Sequence, residues 1–242
     1  MFDLKGKKAL VTGSSQGIGK EMAKVLKQHG AYVYAHGSRP SDKLNKAAEY
    51  IGTDKIVTAD LTDMSAAQKL FEATGGVDIL ILNASVQYKK QWNDFTDSEI
   101  DTQIDCNLKS TYYFMKTFAP YMMQNKFGRI ITIGSVNQYN NHPELLLYGV
   151  TKCAQMKLVE GVAKQLAPFG ITVNNIAPGA ILTPRNADCF KDEEFTKKLK
   201  NAIPKGVIGD PKDMNGAVLL LCSKEGGYIT GSEIIADGGM HL

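Results

Sequence analysis

The chain has 242 residues, of which 43% are hydrophobic and 22% charged. This composition is typical of a globular protein that can bury a large core without disulfides or metals. The net charge is only +3 and the lysines are spread along the chain, so we expect no nucleic-acid partner. Apolar runs are strand-sized and no signal-peptide core precedes them, which predicts a cytoplasmic protein without a membrane span. The isolated cysteines and histidines predict reduced thiols and no metal site.

The first element in the chain is an apolar run at residues 8–11, followed by a glycine-rich turn and an amphipathic helix that ends near Gly30. Glycines in such a turn let a diphosphate approach the helix N-terminus, where free amides and the helix dipole favour an anion. The spacing differs from the common GxGxxG pattern. A tight turn without a ligand is the alternative, but the flanking strand and helix favour phosphate binding by Gly13, Ser15, Gln16, Gly17, Ile18 and Gly19.

The second predicted strand, residues 31–36, ends in Gly37, Ser38 and Arg39 without an acidic residue. At this place in a dinucleotide-binding sheet, an acid binds the ribose of NAD, whereas an arginine accommodates the phosphate of NADP. The sequence therefore favours NADP(H) over NAD(H), with Ser38 and Arg39 as ligands. Arg39 as a solvated loop residue is the alternative, and Asp42 nearby leaves NAD possible.

Two more strands are predicted at residues 55–58 and 77–82, alternating with helices. The first ends at Asp60 and Leu61, where the carboxylate can accept from an adenine amine or cap the next helix. The second is nearly all apolar, as expected for a parallel strand buried on both faces. It stops at Asn83 and Ala84, whose backbone could lie along a cofactor.

A long helix is predicted over residues 97–124, with Asn107 near its middle. Asparagine is unfavourable inside a helix because its side chain competes with the backbone. A buried asparagine there usually has a dedicated partner, and an exposed one tolerated on the surface is the alternative.

Ser135 follows a fifth strand, and Tyr148 and Lys152 lie four residues apart on a predicted helix over residues 147–166. That spacing places both side chains on one helix face. A hydroxyl, a phenol and an amine provide a hydrogen bond to a carbonyl, a proton donor and a means of lowering its pKa. They predict carbonyl reduction or alcohol oxidation. An ordinary helix-face pair is the alternative.

The last two strands are predicted at residues 171–176 and 233–236, and a charged segment around residues 183–208 resembles a lid over the strand ends. Strands and helices alternate throughout. The pattern predicts one α/β domain over residues 1–242, a three-layer, doubly wound parallel sheet with helices on both faces. Ligands of such sheets bind at the carboxyl ends of the strands.

These residues together resemble the short-chain dehydrogenase/reductase family over nearly the whole chain. The matching motifs, in order, are Thr12-Gly13-xxx-Gly17-Ile18-Gly19, Asp60, Asn83-Ala84, Asn107, Ser135, Tyr148-xxx-Lys152, Pro178-Gly179-xxx-Thr183, Ile229-Thr230-Gly231 and Asp237-Gly238-Gly239. The resemblance implies a Rossmann-type NAD(P)-dependent oxidoreductase, usually a homotetramer.

The resemblance also implies a role for each matching residue. Tyr148 would be the catalytic acid/base, and Ser135 would hold the substrate oxygen. Lys152 would bind the nicotinamide ribose and lower the pKa of Tyr148, and Asn107 would hold a proton-relay water near Lys152. Further cofactor contacts are implied for Pro178, Gly179, Ile181 and Thr183. Ser85 is a departure, because the family has glycine there.

The substrate is predicted less directly, as a small carbonyl or alcohol compound. Loops rich in amide and aromatic side chains contribute Gln87, Asn137 and His142, which would suit a sugar, polyol or aldonate. Arg185 could pair with a carboxylate. Simple solvation of these loops is the alternative.

Two other functions are open. One is reduction of 3-oxoacyl groups on an acidic acyl carrier protein, for which Arg129 could form part of a basic docking patch. Phe169 occupies a position where a second basic residue would help to dock the acidic carrier, and this makes that function less favoured. The other is a redox sensor that binds NAD(P) without catalysis, which would not need to keep Ser135, Tyr148 and Lys152.

Overall fold

The computed structural model describes residues 1–242 and contains one seven-stranded sheet in which every pairing is parallel. The strand order is β3-β2-β1-β4-β5-β6-β7. The strands are β1 (Lys8–Val11), β2 (Tyr32–Gly37), β3 (Ile56–Thr58), β4 (Ile79–Leu82), β5 (Gly128–Ile133), β6 (Ile171–Pro178) and β7 (Glu233–Ala236). The order reverses between β1 and β4, where doubly wound sheets bind their ligands.

Helices cover both faces of the sheet, which confirms the predicted three-layer α/β architecture. The α-helices are α1 (Gly17–Gln28), α2 (Asp42–Ile51), α3 (Ala66–Thr74), α4 (Asp97–Ile104), α5 (Ser110–Gln124), α6 (Leu146–Leu166), α7 (Glu193–Ala202) and α8 (Asn215–Cys222). None of them combines the length and apolarity needed to cross a bilayer.

The alternating direction of strand side chains divides the core into two layers. In β4, Ile79 and Ile81 pack with helices α1, α2 and α8. Leu80 and Leu82 point the other way and pack with α3, α5 and α6. A strand that is apolar at every position is therefore buried on both faces, as predicted for β4.

The predicted long helix over residues 97–124 is present, but it is interrupted by a π-helical turn at Asp105–Lys109. π turns are rare and are frequently found at functional sites. Asn107 lies in this turn and is completely buried, which excludes the surface alternative for it.

Two other regions contain 3₁₀ turns. Residues 210–222 contain the turn Pro211–Met214, which continues into α8. The segment expected to form a lid contains a short 3₁₀ turn, Cys189–Lys191, followed by α7. Phe190 and Phe195 of this segment face the cleft at the strand ends.

Candidate active site

A cleft of about 630 Å³ lies along the carboxyl ends of the strands. Most residues that the sequence assigns to a site line it, and the structure therefore collects them in one place. These are Gly13, Ser15, Gln16, Gly17, Ile18, Gly19, Ser38, Asp60, Leu61, Asn83, Ala84, Gln87, Ser135, Asn137, His142, Tyr148, Pro178, Gly179, Ile181, Thr183 and Arg185. Arg39, Asn107 and Lys152 are not among the lining residues.

The glycine-rich turn is shaped to bring backbone, not side chains, to the cleft. Gly13 has a φ of +66°, and a Cβ there would lie 2.9 Å from the Cα of Ala84. A Cβ on Gly19 would lie 2.3 Å from the Nδ2 of Asn83. Gln16 precedes α1 and gives it no side-chain cap, and the first turn of α1 holds no acidic residue. The helix N-terminus is thus open to an anion, and the residues fit a dinucleotide diphosphate.

Thr12 and Asn83 join β1 to β4 behind this turn. The Thr12 hydroxyl accepts from the amides of Asn83 and Ala84, at 3.0 and 3.1 Å. The Asn83 side chain donates to the carbonyls of Thr12 and Gly13, at 2.9 and 3.2 Å. These bonds fix the floor of the cleft at the point where the strand order reverses.

His36, at the end of β2, is a site residue that sequence reasoning missed. Its Nδ1 accepts from the Gly13 amide at 3.0 Å, and its Nε2 lies 3.1 Å from the carbonyl of Ala59. Burial lowers the pKa of this imidazole to about 4. The ring therefore stays neutral and links the glycine-rich turn to β2 and β3.

At the carboxyl ends of β2 and β3, Ser38 and Asp60 line the cleft, whereas Arg39 is exposed beside it. The Asp60 carboxylate accepts from the amide and hydroxyl of Thr62, at 3.0 and 2.8 Å. Asp60 forms a local turn and does not cap α3, which has no side-chain cap. Lys43 of α2 donates to the side chain of Gln16, which places a further cation at this end.

Ser135 follows β5 after one intervening residue, and the turn after it binds both its amide and its hydroxyl. Its amide donates to the Oε1 of Gln138 at 2.9 Å, and its hydroxyl accepts from the Asn137 amide at 3.1 Å. Gln138 in turn donates to Glu233 of β7 at 2.9 Å. The hydroxyl therefore has a defined position beside Tyr148.

Tyr148 is buried at the wall of the cleft. Burial raises the pKa of its phenol, while the charge of Arg185 and hydrogen bonds to Ser85, Ser135 and Arg185 lower it less. The net direction is upward, opposite to the expected lowering by Lys152. Burial therefore favours the protonated, proton-donating form of Tyr148.

Lys152 lies one turn further along α6, with its Nζ 5.4 Å from the ring centre of Tyr148. Its ammonium donates to the carbonyl of Ile133 at 2.8 Å and to the Oε1 of Gln155 at 2.9 Å. Burial, followed by the charge of Arg185, lowers the pKa of Lys152 to about 7.

Asn107 holds the segment after β4 against α6. Its Nδ2 donates to the carbonyl of Val86 at 2.9 Å and to the hydroxyl of Thr151 at 3.2 Å, and its Oδ1 accepts from the Val86 amide at 2.8 Å. The buried asparagine thus has dedicated partners, as expected. They fix the loop that carries Ser85 into the cleft.

The lining of the cleft differs from the expected wall of amides and aromatics. Gln87, Asn137 and His142 line it, but Trp92 is 74% exposed and lies outside it. The aromatic surface comes instead from Phe190 and Phe195 of the lid segment.

Arg185 reaches from the lid segment across the cleft. Its guanidinium donates to the hydroxyl of Ser85 at 3.1 Å and to the carbonyl of Ser85 at 2.7 Å. Its positive charge also lowers the pKa of Tyr148. Ser85, which seemed a minor departure from the family pattern, is thus the residue that receives Arg185.

Comparison with known proteins agrees with this geometry. A family model described as enoyl-(acyl carrier protein) reductase matches residues 13–241. The chain is 36% identical to the 3-oxoacyl-[acyl-carrier-protein] reductase of Haemophilus influenzae, over 99% of this chain and all of the relative.

Two solved structures are also similar to this chain in fold and in sequence. A 3-oxoacyl (acyl-carrier-protein) reductase of Agrobacterium tumefaciens with NADP bound superposes with a TM-score of 0.94 at 35% identity, over 98% of this chain and 95% of that chain. A gluconate 5-dehydrogenase of Burkholderia cenocepacia, in complex with NADP and tartrate, gives a TM-score of 0.91 at 28% identity, over 99% and 96%.

Proposed function

This chain belongs to the short-chain dehydrogenase/reductase family and is an NAD(P)-dependent oxidoreductase, and from that premise we propose that it interconverts the carbonyl and secondary alcohol of a polyhydroxylated acid, such as an aldonate. The observation that carries the substrate proposal is Arg185. This exposed cation at the cleft has only a neutral hydrogen-bonding partner, Ser85. A guanidinium without a carboxylate partner beside the reacting centre is suited to a substrate carboxylate.

The proposed chemistry assigns each polar side chain one task. Ser135 and Tyr148 donate hydrogen bonds to the substrate carbonyl oxygen, and Tyr148 passes its proton to that oxygen as it gains charge. The nicotinamide cofactor supplies the hydride when it is bound. Lys152 holds the ribose of the cofactor and places positive charge behind Tyr148. Asn107 fixes the loop opposite them.

For the cofactor we propose NADP(H) in preference to NAD(H). No acidic residue ends β2, whereas Ser38 lines the cleft and Arg39 follows it. Lys43, bonded to Gln16 at the same end, adds a second cation for a ribose phosphate. The glycine-rich turn, Asn83 to Ala84 and Pro178 to Thr183 would hold the rest of the dinucleotide.

The polar lining supports a hydroxylated substrate. Gln87, Asn137 and His142 supply amide and imidazole groups at the end of the cleft beyond Tyr148, and such groups pair with sugar hydroxyls. Phe190 and Phe195 of the lid segment, residues 183–208, would close over the substrate and exclude water.

The second candidate is reduction of 3-oxoacyl groups on acyl carrier protein, the activity in the name of the Haemophilus relative. The structure does not favour Arg129 as a docking residue for an acidic carrier. It is only 6% exposed and donates to the carbonyls of Gly128, Gly170 and Ser223. Phe169, in the same region, is apolar and 40% exposed.

We further propose a cytoplasmic homotetramer. The two long helices carry exposed apolar residues, with Tyr112 on α5 and Leu146 and Val150 on α6. Helix packing across a two-fold axis would cover them. The strand β7 is also an unpaired edge of the sheet, and edges are commonly covered by a second subunit.

The test is a substrate screen with purified protein and both cofactors. Gluconate, its keto derivatives, neutral sugars and an acetoacetyl thioester would be compared by cofactor absorbance. The aldonate proposal predicts the highest kcat/KM for the acids with NADP(H). Faster turnover of the thioester than of any acid would overturn it and support the second candidate.

A further inference from the structure

Gln155 is a buried polar residue to which neither the motifs nor the proposed chemistry assigns a role. It lies on α6 three residues after Lys152 and is only 1% exposed. Its Oε1 accepts from Lys152 Nζ at 2.9 Å. Its Nε2 donates to the carbonyl of Asn107 and to the hydroxyl of Thr111, both at 2.7 Å.

The orientation of this carboxamide is fixed by chemistry. An ammonium can only donate and a backbone carbonyl can only accept. The oxygen of Gln155 must therefore face Lys152, and its nitrogen must face Asn107. A flipped amide would place donor against donor and acceptor against acceptor, deep in the core, where an unmade hydrogen bond is costly.

The carboxamide thus connects two members of the proposed catalytic set, Lys152 and Asn107, directly. The resemblance to the family assigns a proton-relay water to this connection. A carboxamide N–H holds its proton at neutral pH, so this bridge conducts no proton. Lys152 uses two of its three N–H donors, on Ile133 and Gln155, and one remains for the cleft side.

We propose that Gln155 is a positioning residue that takes the place of the relay water. Its carboxamide bridges the Lys152 ammonium and the Asn107 carbonyl and so fixes the position of the ammonium. This inference rests on the role given to Lys152 in the proposed function. Lys152, in its protonated form, then acts as a cation that is fixed in position. The proton that Tyr148 gives up is replaced by a proton from water entering through the open side of the cleft.

The bridge should favour the charged form of Lys152, since its oxygen accepts from the ammonium. The other groups that face this ammonium are Tyr148 on α6, Arg185 on the lid segment and Cys106 in the π turn. Burial and Arg185 lower the pKa of Lys152, and Cys106 raises it. Gln155 is the nearest side-chain acceptor that opposes the first two.

The experiment compares Gln155→Met, which removes the acceptor at similar length, with Gln155→Glu, which makes it an anion. With NADPH and ethyl acetoacetate as the probe ketone, the alkaline limb of kcat/KM should move about one pH unit lower in the first variant and about one unit higher in the second. The pH dependence of NADPH affinity, measured by fluorescence without any ketone, should shift in the same two directions.

Gln165, an exposed glutamine on the same helix, is the matched control, and its Met and Glu variants should leave both profiles unchanged. If Gln155 has only a structural role, both of its variants should lose activity, but their pH profiles should be unchanged or should shift in the same direction. That result would overturn the inference. Lys152→Met tests the role of Lys152 in the proposed function separately from the role of Gln155 in the bridge. Undiminished turnover in that variant refutes the role of Lys152 itself, whereas lost turnover with unmoved Gln155 profiles refutes only the bridge.

Discussion

The Gly13 amide donates to the Nδ1 of His36 at 3.0 Å, so the glycine-rich turn rests on an imidazole that must stay neutral. On its other side, the ring nitrogen Nε2 contacts the carbonyl of Ala59 at 3.1 Å, which requires a proton there. Protonating Nδ1 would place two donors against each other in the core. The turn and the neutral ring therefore depend on each other.

This relationship predicts that stability falls in mild acid. The pKa of His36 is about 4 in the folded protein, against the ordinary value of 6.5 for an exposed histidine. Between these values the unfolded chain binds more protons, so the stabilisation is complete above the higher pKa and is lost as pH falls toward the lower one. The full effect is about 3 kcal/mol of unfolding free energy.

Urea unfolding across that pH range measures this effect. His36→Asn keeps a side chain that can both accept and donate, but it cannot be protonated. We expect the variant to be less stable near neutral pH and its stability to depend less steeply on pH between the two pKa values. An equally steep loss in the variant would assign the acid sensitivity to other groups.

Much of the site was predictable because it follows from strand ends and from one helix spacing. Tyr148 and Lys152 share a face of α6, and the cleft collects Asn83 and Ser135 after their strands. The direction of the Tyr148 pKa was not predictable. It depends on burial of Tyr148 and on the reach of Arg185, which are properties of tertiary packing.

Two other features depend on long-range contacts that no local pattern reports. Asn107 was recognised as unfavourable within a helix, but the π turn around it could not be inferred from its sequence. Arg129 was considered for a surface role, although the carbonyls that it bonds come from segments far apart in the chain. Gln155 carried no signal beyond a polar residue on a mostly apolar helix.

We expect alanine substitutions at two helical glycines, Gly19 and Gly161, to have very different effects on NADPH affinity. In Gly19→Ala the new Cβ would lie 2.3 Å from Asn83 Nδ2, so Asn83 must move and its bonds to Thr12 and Gly13 are lost. We expect NADPH affinity to fall at least about 10-fold, because a loss of about 1.4 kcal/mol corresponds to that factor. Gly161→Ala is the control, since its Cβ meets nothing within 4 Å. It should stabilise α6 by about 0.5–1 kcal/mol with unchanged NADPH affinity.

We expect substitutions of Arg185 and Arg39 to affect different ligands, the acid substrate and the NADPH cofactor respectively. Arg185→Gln removes the charge proposed to bind a substrate carboxylate. We expect its KM for an acid substrate to rise about 10- to 100-fold, the value of a hydrogen bond to a charged group, with a smaller change for a neutral ketone. Arg39→Gln should instead weaken NADPH and leave NADH and the acid unaffected. Equal losses for acid and neutral substrates in Arg185→Gln would argue against carboxylate binding.

Tyr148→Phe is expected to lose nearly all turnover while it retains NADPH affinity. The phenyl ring keeps the packing of this buried side chain, but the proton donor is gone, and positioned acid catalysis contributes about 10²–10⁴-fold. The raised pKa of Tyr148 keeps the hydroxyl protonated in the free enzyme, so the wild type should hold its donor form through neutral pH. Tyr139→Phe is the matched control, because Tyr139 is 46% exposed and lies outside the cleft. Turnover near the wild-type rate in Tyr148→Phe, with normal NADPH binding, would remove Tyr148 from the proposed mechanism.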